Sequence, residues 1–309
     1  MKKIYSILCL SILTSAALAQ TPDSSAAKVD TSWKKGGFVN VNTSQTGLTN
    51  WAAGGQNSVA VGSSLNIFAN YKKGKIEWNN SLGLGYAVLQ TGSIERKSDD
   101  RIDLTTKFGR QTSEHWYLSA LANFKSQFAK GFNYPNDSTV ISNFLAPAYI
   151  LVALGYDYMP NDNFSLFLSP ATGRLIIVNS TPIADAGTYG NDAAVYAANG
   201  TLISHGKKMK SEFGAYVKAA YKKDIMQNVN LLAKVDLFNN YTDTDASKRK
   251  NVVVNGELAI NLKVNKFIAA NIHVITIYDN DVDTDTNAPG VQRRLQVEEV
   301  IGAGLSYQF

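Results

Sequence analysis

Residues 297–309 read V-E-E-V-I-G-A-G-L-S-Y-Q-F. Counted back in twos from the end, Phe309, Tyr307, Leu305, Ala303 and Ile301 share one face, and Gln308, Ser306, Gly304 and Gly302 the other. Side chains alternate across a β-strand, so this is a strand with an apolar face, an aromatic foot and a small, polar opposite face. Two architectures use such a strand. It closes a barrel that has lipid outside and water within, or it ends a soluble sandwich.

Working back toward the N-terminus, the same period-two pattern recurs. Candidate strands fall at about 35–46, 58–71, 76–90, 101–110, 115–127, 147–159, 163–179, 208–222, 228–241, 251–264, 267–279 and 297–309. The sixth is typical: Ala148, Ile150, Val152, Leu154, Tyr156 and Tyr158 alternate with other residues along one face. In the seventh, Pro170 and Gly173 break the alternation, which predicts a bulge or kink. The first, third, fifth, seventh, ninth and eleventh connections are the longer ones, and the others are tight turns. An even number of strands with long loops on one side and short turns on the other is the layout of an outer-membrane barrel, with both termini on the short-turn side. A sandwich has no reason to sort its loops in this way.

Strand length points the same way. Many strands exceed the ~5–6 residues usual in soluble sheets and suit a tilted crossing of the hydrocarbon core. Tyr71, Trp78, Trp116, Phe164, Tyr221, Phe267, Tyr307 and Phe309 lie near strand ends, where an interfacial girdle sits. The expected fold is therefore all-β: a transmembrane antiparallel β-barrel of about twelve strands.

The chain has 309 residues, of which 18% are charged, below the roughly one quarter usual for soluble domains. Beyond residue 20 no apolar run approaches the ~20 residues of a spanning helix. Residues 1–19 have the plan of a cleaved secretory signal: Lys2 and Lys3, an apolar stretch from Ile4 to Leu13, and Ala17-Leu18-Ala19 at the cut. Residues 20–32 form a polar, flexible leader on the periplasmic side, and 33–309 the barrel domain. Cys9, the single cysteine, lies inside the apolar stretch after Leu8, the wrong place for a lipid anchor. A chain cut after Ala19 has no disulfide framework and no thiolate metal site. Loss of Lys2 and Lys3 takes the formal charge from +5 to +3, too mild for a nucleic-acid partner.

From Leu48 to Ser58 the sequence reads L-T-N-W-A-A-G-G-Q-N-S. With the signal, the hairpins and the terminal Y-Q-F, this resembles the domain-of-unknown-function 3078 family of secreted outer-membrane proteins. The resemblance implies a barrel in the outer membrane. It brings no established activity and no catalytic residues.

The chemistry is sparse. His115, His205 and His273 have no metal-ligand spacing, so no metal or cofactor is expected. A lipid-facing hydrolase would need a serine converging with a histidine at one strand end. His273 has no nearby serine, and Ser204-His205 are merely adjacent, so an enzyme is not expected. Acidic residues at 279, 281, 283 and 285 alternate in the manner of a Ca²⁺-binding loop, but without the glycine and terminal glutamate of an EF-hand. A solvated loop is the plainer account.

What remains is the face opposite the apolar one. It carries both signs of charge: Glu77, Asp103, Lys107, Lys125, Glu212, Lys218, Lys222, Lys234, Asp236, Glu257, Lys263 and Glu298. Charges facing lipid are costly, so these belong inside, where they either pair and plug the interior or line a wet path. Inward glycines (62, 83, 85, 214, 302 and 304) are expected to leave room for a cavity, and Trp51 to cover or enter the mouth or to anchor in the interface. The expectation is a monomeric barrel in outer-membrane lipid, delivered to the barrel-assembly machinery through Phe309, passing or binding a small polar solute. The alternatives are a non-conducting barrel whose long loops recognise a partner, and the hydrolase.

Overall fold

Twelve long antiparallel strands carry the fold: β1 (Trp33–Thr46), β2 (Ser58–Lys73), β3 (Ile76–Thr91), β4 (Ile94–Gln111), β5 (Trp116–Ser126), β6 (Ala148–Asn161), β7 (Phe164–Ile177), β8 (Met209–Met226), β9 (Val229–Asn240), β10 (Val252–Lys263), β11 (Ile268–Tyr278) and β12 (Gln296–Gln308). Each pairs with its sequence neighbour, and β1 pairs with β12 to close the barrel. The computed structural model describes residues 31–46, 57–134, 136–265, 267–282, 284 and 292–309. The predicted signal, the leader up to residue 30, the Trp51 segment, Asp283 and Asp285 lie outside the described residues.

The period-two pattern sorts as expected. On the outer face Ile301 is 69%, Leu305 65% and Leu154 60% exposed, whereas Ala153, the next residue but inward, is 0%. An outer wall of this kind suits hydrocarbon, and closure leaves no unpaired strand edge within it. Aromatic groups gather at the short-turn rim: Trp33 lies 5.2 Å from Tyr71 and 5.9 Å from Trp78, and Trp116 5.0 Å from Tyr158. Phe213 and Tyr241, 6.4 Å apart, mark the other rim.

The predicted break in β7 is a bulge. Leu154 pairs with Ala171 and Tyr156 with Leu168, so Ser169 and Pro170 together face the single residue Gly155. Any side chain at Gly155 would collide with the Leu168 carbonyl. Proline has no N–H to lose at such a site. The extra residue inverts the strand's parity: Phe167 and Ser169 point inward before it, and Thr172, Arg174 and Ile176 after it.

The third connection departs from expectation. Residues 91–100 are not a long loop; the chain turns at Gly92 (φ 59°) and β4 begins at Ile94, paired with Thr91. The stretch I-E-R-K-S-D-D is polar on both faces, so it shows no period-two signal although it is a strand. Asp100 holds it in place, accepting bonds from the backbone N–H groups of Phe128 (2.7 Å) and Ala129 (2.9 Å) and pairing with Lys97 at 2.8 Å.

Inside, Leu121, Leu151, Ala153, Phe167, Tyr216 and Phe238 form an apolar core on the β5–β9 side, with Val253 of β10 against it. The interior is thus packed on one flank. A second core lies at the long-loop end. There a short helix, α1 (Thr181–Ala186), places Ile183 and Ala184 against Ala146, Ile176 and Val178. Two small ribbons, Gly131–Phe132 with Val140–Ser142 and Val195–Tyr196 with Leu202–Ser204, complete these loops.

Candidate functional site

The lumen wall is built from in-register pairs of opposite charge. Lys218 on β8 stands beside Asp236 on β9, and their charged atoms meet at 3.0 Å. Lys234 on β9 stands beside Glu257 on β10 at 2.9 Å. Lys125 and Asp103 are opposite each other on β5 and β4, at a looser 3.8 Å, with the Asn123 amide donating to Asp103 at 2.7 Å. Lys107 on β4 reaches past β5 to Asp157 on β6. Asp157 has no exposed surface, and a buried carboxylate without a cation would be strongly destabilising.

One set of contacts crosses the lumen. From Lys234 the chain of groups runs to Glu257, whose other oxygen lies 3.2 Å from His273 Nε2 on β11. His273 Nδ1 in turn lies 3.1 Å from the Arg101 guanidinium on β4. Strands β4 and β11 are five steps apart around the twelve-stranded wall, so this contact bridges the interior. The histidine meets a carboxylate on one side and a guanidinium on the other, which assigns it to the wall's charge network and not to a serine.

A third cluster lies at the long-loop end. Arg174 pairs with Glu212 across β7 and β8, and with Asp279 at 3.5 Å, and lies 4.6 Å from the Phe238 ring centroid. Lys210 joins Glu212 (2.9 Å) to Asp281 (2.6 Å), and Lys248 meets Asp281 at 3.5 Å. Partial burial opposes ionisation of Asp281. The bonds and charges of Lys210 and Lys248 outweigh it and hold this loop carboxyl below the usual carboxylate range. Two members of the acidic run are therefore ion-pair partners of the wall and the neighbouring loop. Among the described residues no group of three or more His, Cys, Asp or Glu could hold a metal ion.

The structure brings most of the expected lumen residues into pairs and leaves four aside. Lys222 and Lys263 stand exposed near the short-turn end without a carboxylate among the described residues, Glu77 accepts from the Asn79 amide at 3.4 Å, and Glu298 faces the lumen in register with Ile275. Arg101, Asp157, Arg174 and Lys210 were not foreseen. Asp157 had a signal, an inward position between two outward tyrosines; Arg174 was hidden by the bulge. The inward glycines do not leave open space. Asn66 fills the room beside Gly83, Asp99 and Arg101 that beside Gly85, and Asn42 that beside Gly302 and Gly304.

A closed twelve-stranded wall, oily outside and charge-paired inside, defines an outer-membrane β-barrel, and the outer membrane is its place. The family model described as "Protein of unknown function (DUF3078)" matches residues 43–132, from the end of β1 through β5, and the Leu48–Ser58 motif lies within that match. No curated protein matches the chain. Among solved structures, it is similar to an outer membrane channel from Pseudomonas putida F1, with 10% identity and a TM-score of 0.40 over 89% of this chain and 95% of that one. Others are the translocator domain of the autotransporter NalP from Neisseria meningitidis (9%, 0.36, 89% and 87%) and the outer membrane channel DcaP of Acinetobacter baumannii (10%, 0.32, 90% and 95%).

Proposed function

We propose that the barrel is a narrow channel or binding barrel for small polar solutes, moving them by passive diffusion past a mixed-charge constriction. The observation that carries this is the cross-lumen set Lys234–Glu257–His273–Arg101. A barrel that served only as an anchor could fill its interior with apolar side chains, as this one does on the β5–β9 flank. Around that core the lumen wall instead carries fixed charges of both signs, the material of a selectivity filter. In planar bilayers the purified barrel should give discrete conductance steps. Lys234→Glu and Glu257→Lys should move the reversal potential in a salt gradient in opposite directions, and the double exchange should bring it back. A folded barrel that never conducts would sink the proposal.

A second reading has its own observation. The ribbon at residues 195–204 exposes Val195, Tyr196, Leu202 and Ile203, as a non-conducting barrel would if its loops recognised a partner. The hydrolase gains no geometry: His205 Nδ1 meets Asp185 at 3.0 Å, and both nitrogens of His273 are engaged with charged groups. A monomer, a cleaved signal at residues 1–19 and recognition of Phe309 by the assembly machinery complete the proposal.

A further inference from the structure

A cavity of about 230 Å³ opens into the lumen toward the short-turn end. Three lysines line it, Lys107, Lys218 and Lys222, together with Asn70, Asn79 and the Phe68 ring. No carboxylate does. Asp157 and Asp236 pair with Lys107 and Lys218, yet neither is part of the cavity wall. Each pair is net neutral, but its aspartate holds the ammonium in place, so the cavity meets lysine N–H donors and no acidic oxygen. Lys222 has no carboxylate among the described residues, and its ammonium lies 5.7 Å from the Phe68 ring centroid. Phe68 is itself an unusual lumen residue. It faces Gly36 on β1, and the missing side chain there makes room for its ring.

We propose that this cavity binds a small organic anion. The oxyanion, carboxylate or phosphate, would lie among the lysines, and a hydroxylated body would use the asparagine amides and the Phe68 face. Charge-assisted bonds of this kind are the strong ones, and an anion supplies the counter-charge that Lys222 lacks. The volume is below the ~300–1,000 Å³ of drug-sized pockets, which limits the occupant to a molecule of few heavy atoms. The inference rests on the solute-channel reading and narrows its substrate class to anions.

The test is calorimetric titration of the detergent-solubilised full barrel with gluconate and with glycerol phosphate, each against its uncharged counterpart, glucose or glycerol. Saturable, salt-sensitive binding of either anion, and none of glucose or glycerol, is expected. Lys222→Gln should weaken it about tenfold, and Lys222→Arg should restore most of it. Lys222 is exposed at a strand end, so the variants should fold, and heat-modifiable gel mobility verifies that they do. Anion and neutral counterpart binding alike, or affinity indifferent to Lys222→Gln, would overturn the site. Conductance separates the two ideas: anion binding by a barrel that does not conduct removes the channel and keeps the site, whereas conductance without anion binding does the reverse.

Discussion

Asp281 shows how single charges tie the loops to the wall. It receives Lys210 from β8 and Lys248 from the loop between β9 and β10. Its carboxyl is held below the usual range in the fold, so its contribution is present above the ordinary carboxylate pKa and is lost only as pH falls through the lower, folded value. The loop should therefore stay docked in mildly acidic medium, and Asp281→Asn should free it at neutral pH. Hydrogen exchange over residues 241–251 at pH 5 and pH 7 reads both outcomes; equal protection in the variant would show that the pair contributes nothing. In the lumen core, Phe167 has no exposed surface. Phe167→Ala should cost about 3–5 kcal/mol of unfolding free energy in a urea titration, because the rigid wall cannot collapse into the cavity. This core was poorly legible in the sequence. In Ile150-Leu151-Val152-Ala153-Leu154 both faces are apolar, so alternation shows that a strand exists but not that its inner face is packed rather than wet.

Elements were the most legible scale, since lipid outside and a largely polar lumen inside force alternation on most crossings. Where that force lapses, legibility lapses too: the Ile94–Asp100 part of β4 carries polar residues on both faces and resembled a loop. The bulge in β7 was announced by Pro170, but its consequence for Arg174 was not, because parity beyond a bulge depends on how many residues it inserts. That consequence is testable. Removing Ala171 takes out the one extra residue, so Thr172, Arg174 and Ile176 should stay inward, now in plain alternation with Phe167 and Ser169. Arg174 should keep Glu212 and Asp279, and the deletion variant should reach its heat-modifiable folded form. An alanine inserted after Ala171 should instead turn Arg174 outward, abandoning buried carboxylates for lipid at a cost of up to ~2–4 kcal/mol, depending on depth, and should fail to reach that form. A deletion that does not fold, or an insertion that folds normally, would show the inward placement of Arg174 behind a one-residue bulge to be wrong.

At the scale of the whole molecule everything depends on closure, and closure is thinnest at one seam. β1 and β12 share five register pairs, Phe38–Asn42 with Gln308–Gly304, whereas β11 and β12 share ten. Phe309 lengthens the seam by one step, exchanging two backbone hydrogen bonds of 3.0 Å with Gly37. Beyond Asn42 and Gly304 no further pair forms between these strands among the described residues. The seam is therefore closed at the short-turn end and parts toward the long loops. Cysteines can map this, since the only native one, Cys9, lies in the proposed signal. Val41 and Leu305 are directly opposite on the outer face, and opposed strand positions bring Cβ atoms to about 4.5–5.5 Å, near the range a disulfide needs. Val41→Cys with Leu305→Cys should cross-link readily in membranes under mild oxidation. Gln45→Cys with Ile301→Cys, four residues further along the same register, should cross-link slowly or not at all. Both pairs join the first strand to the last, which an open sheet or a sandwich would hold apart. Failure of the first pair would refute closure, and equal yield from both would refute the parting seam while leaving the barrel intact.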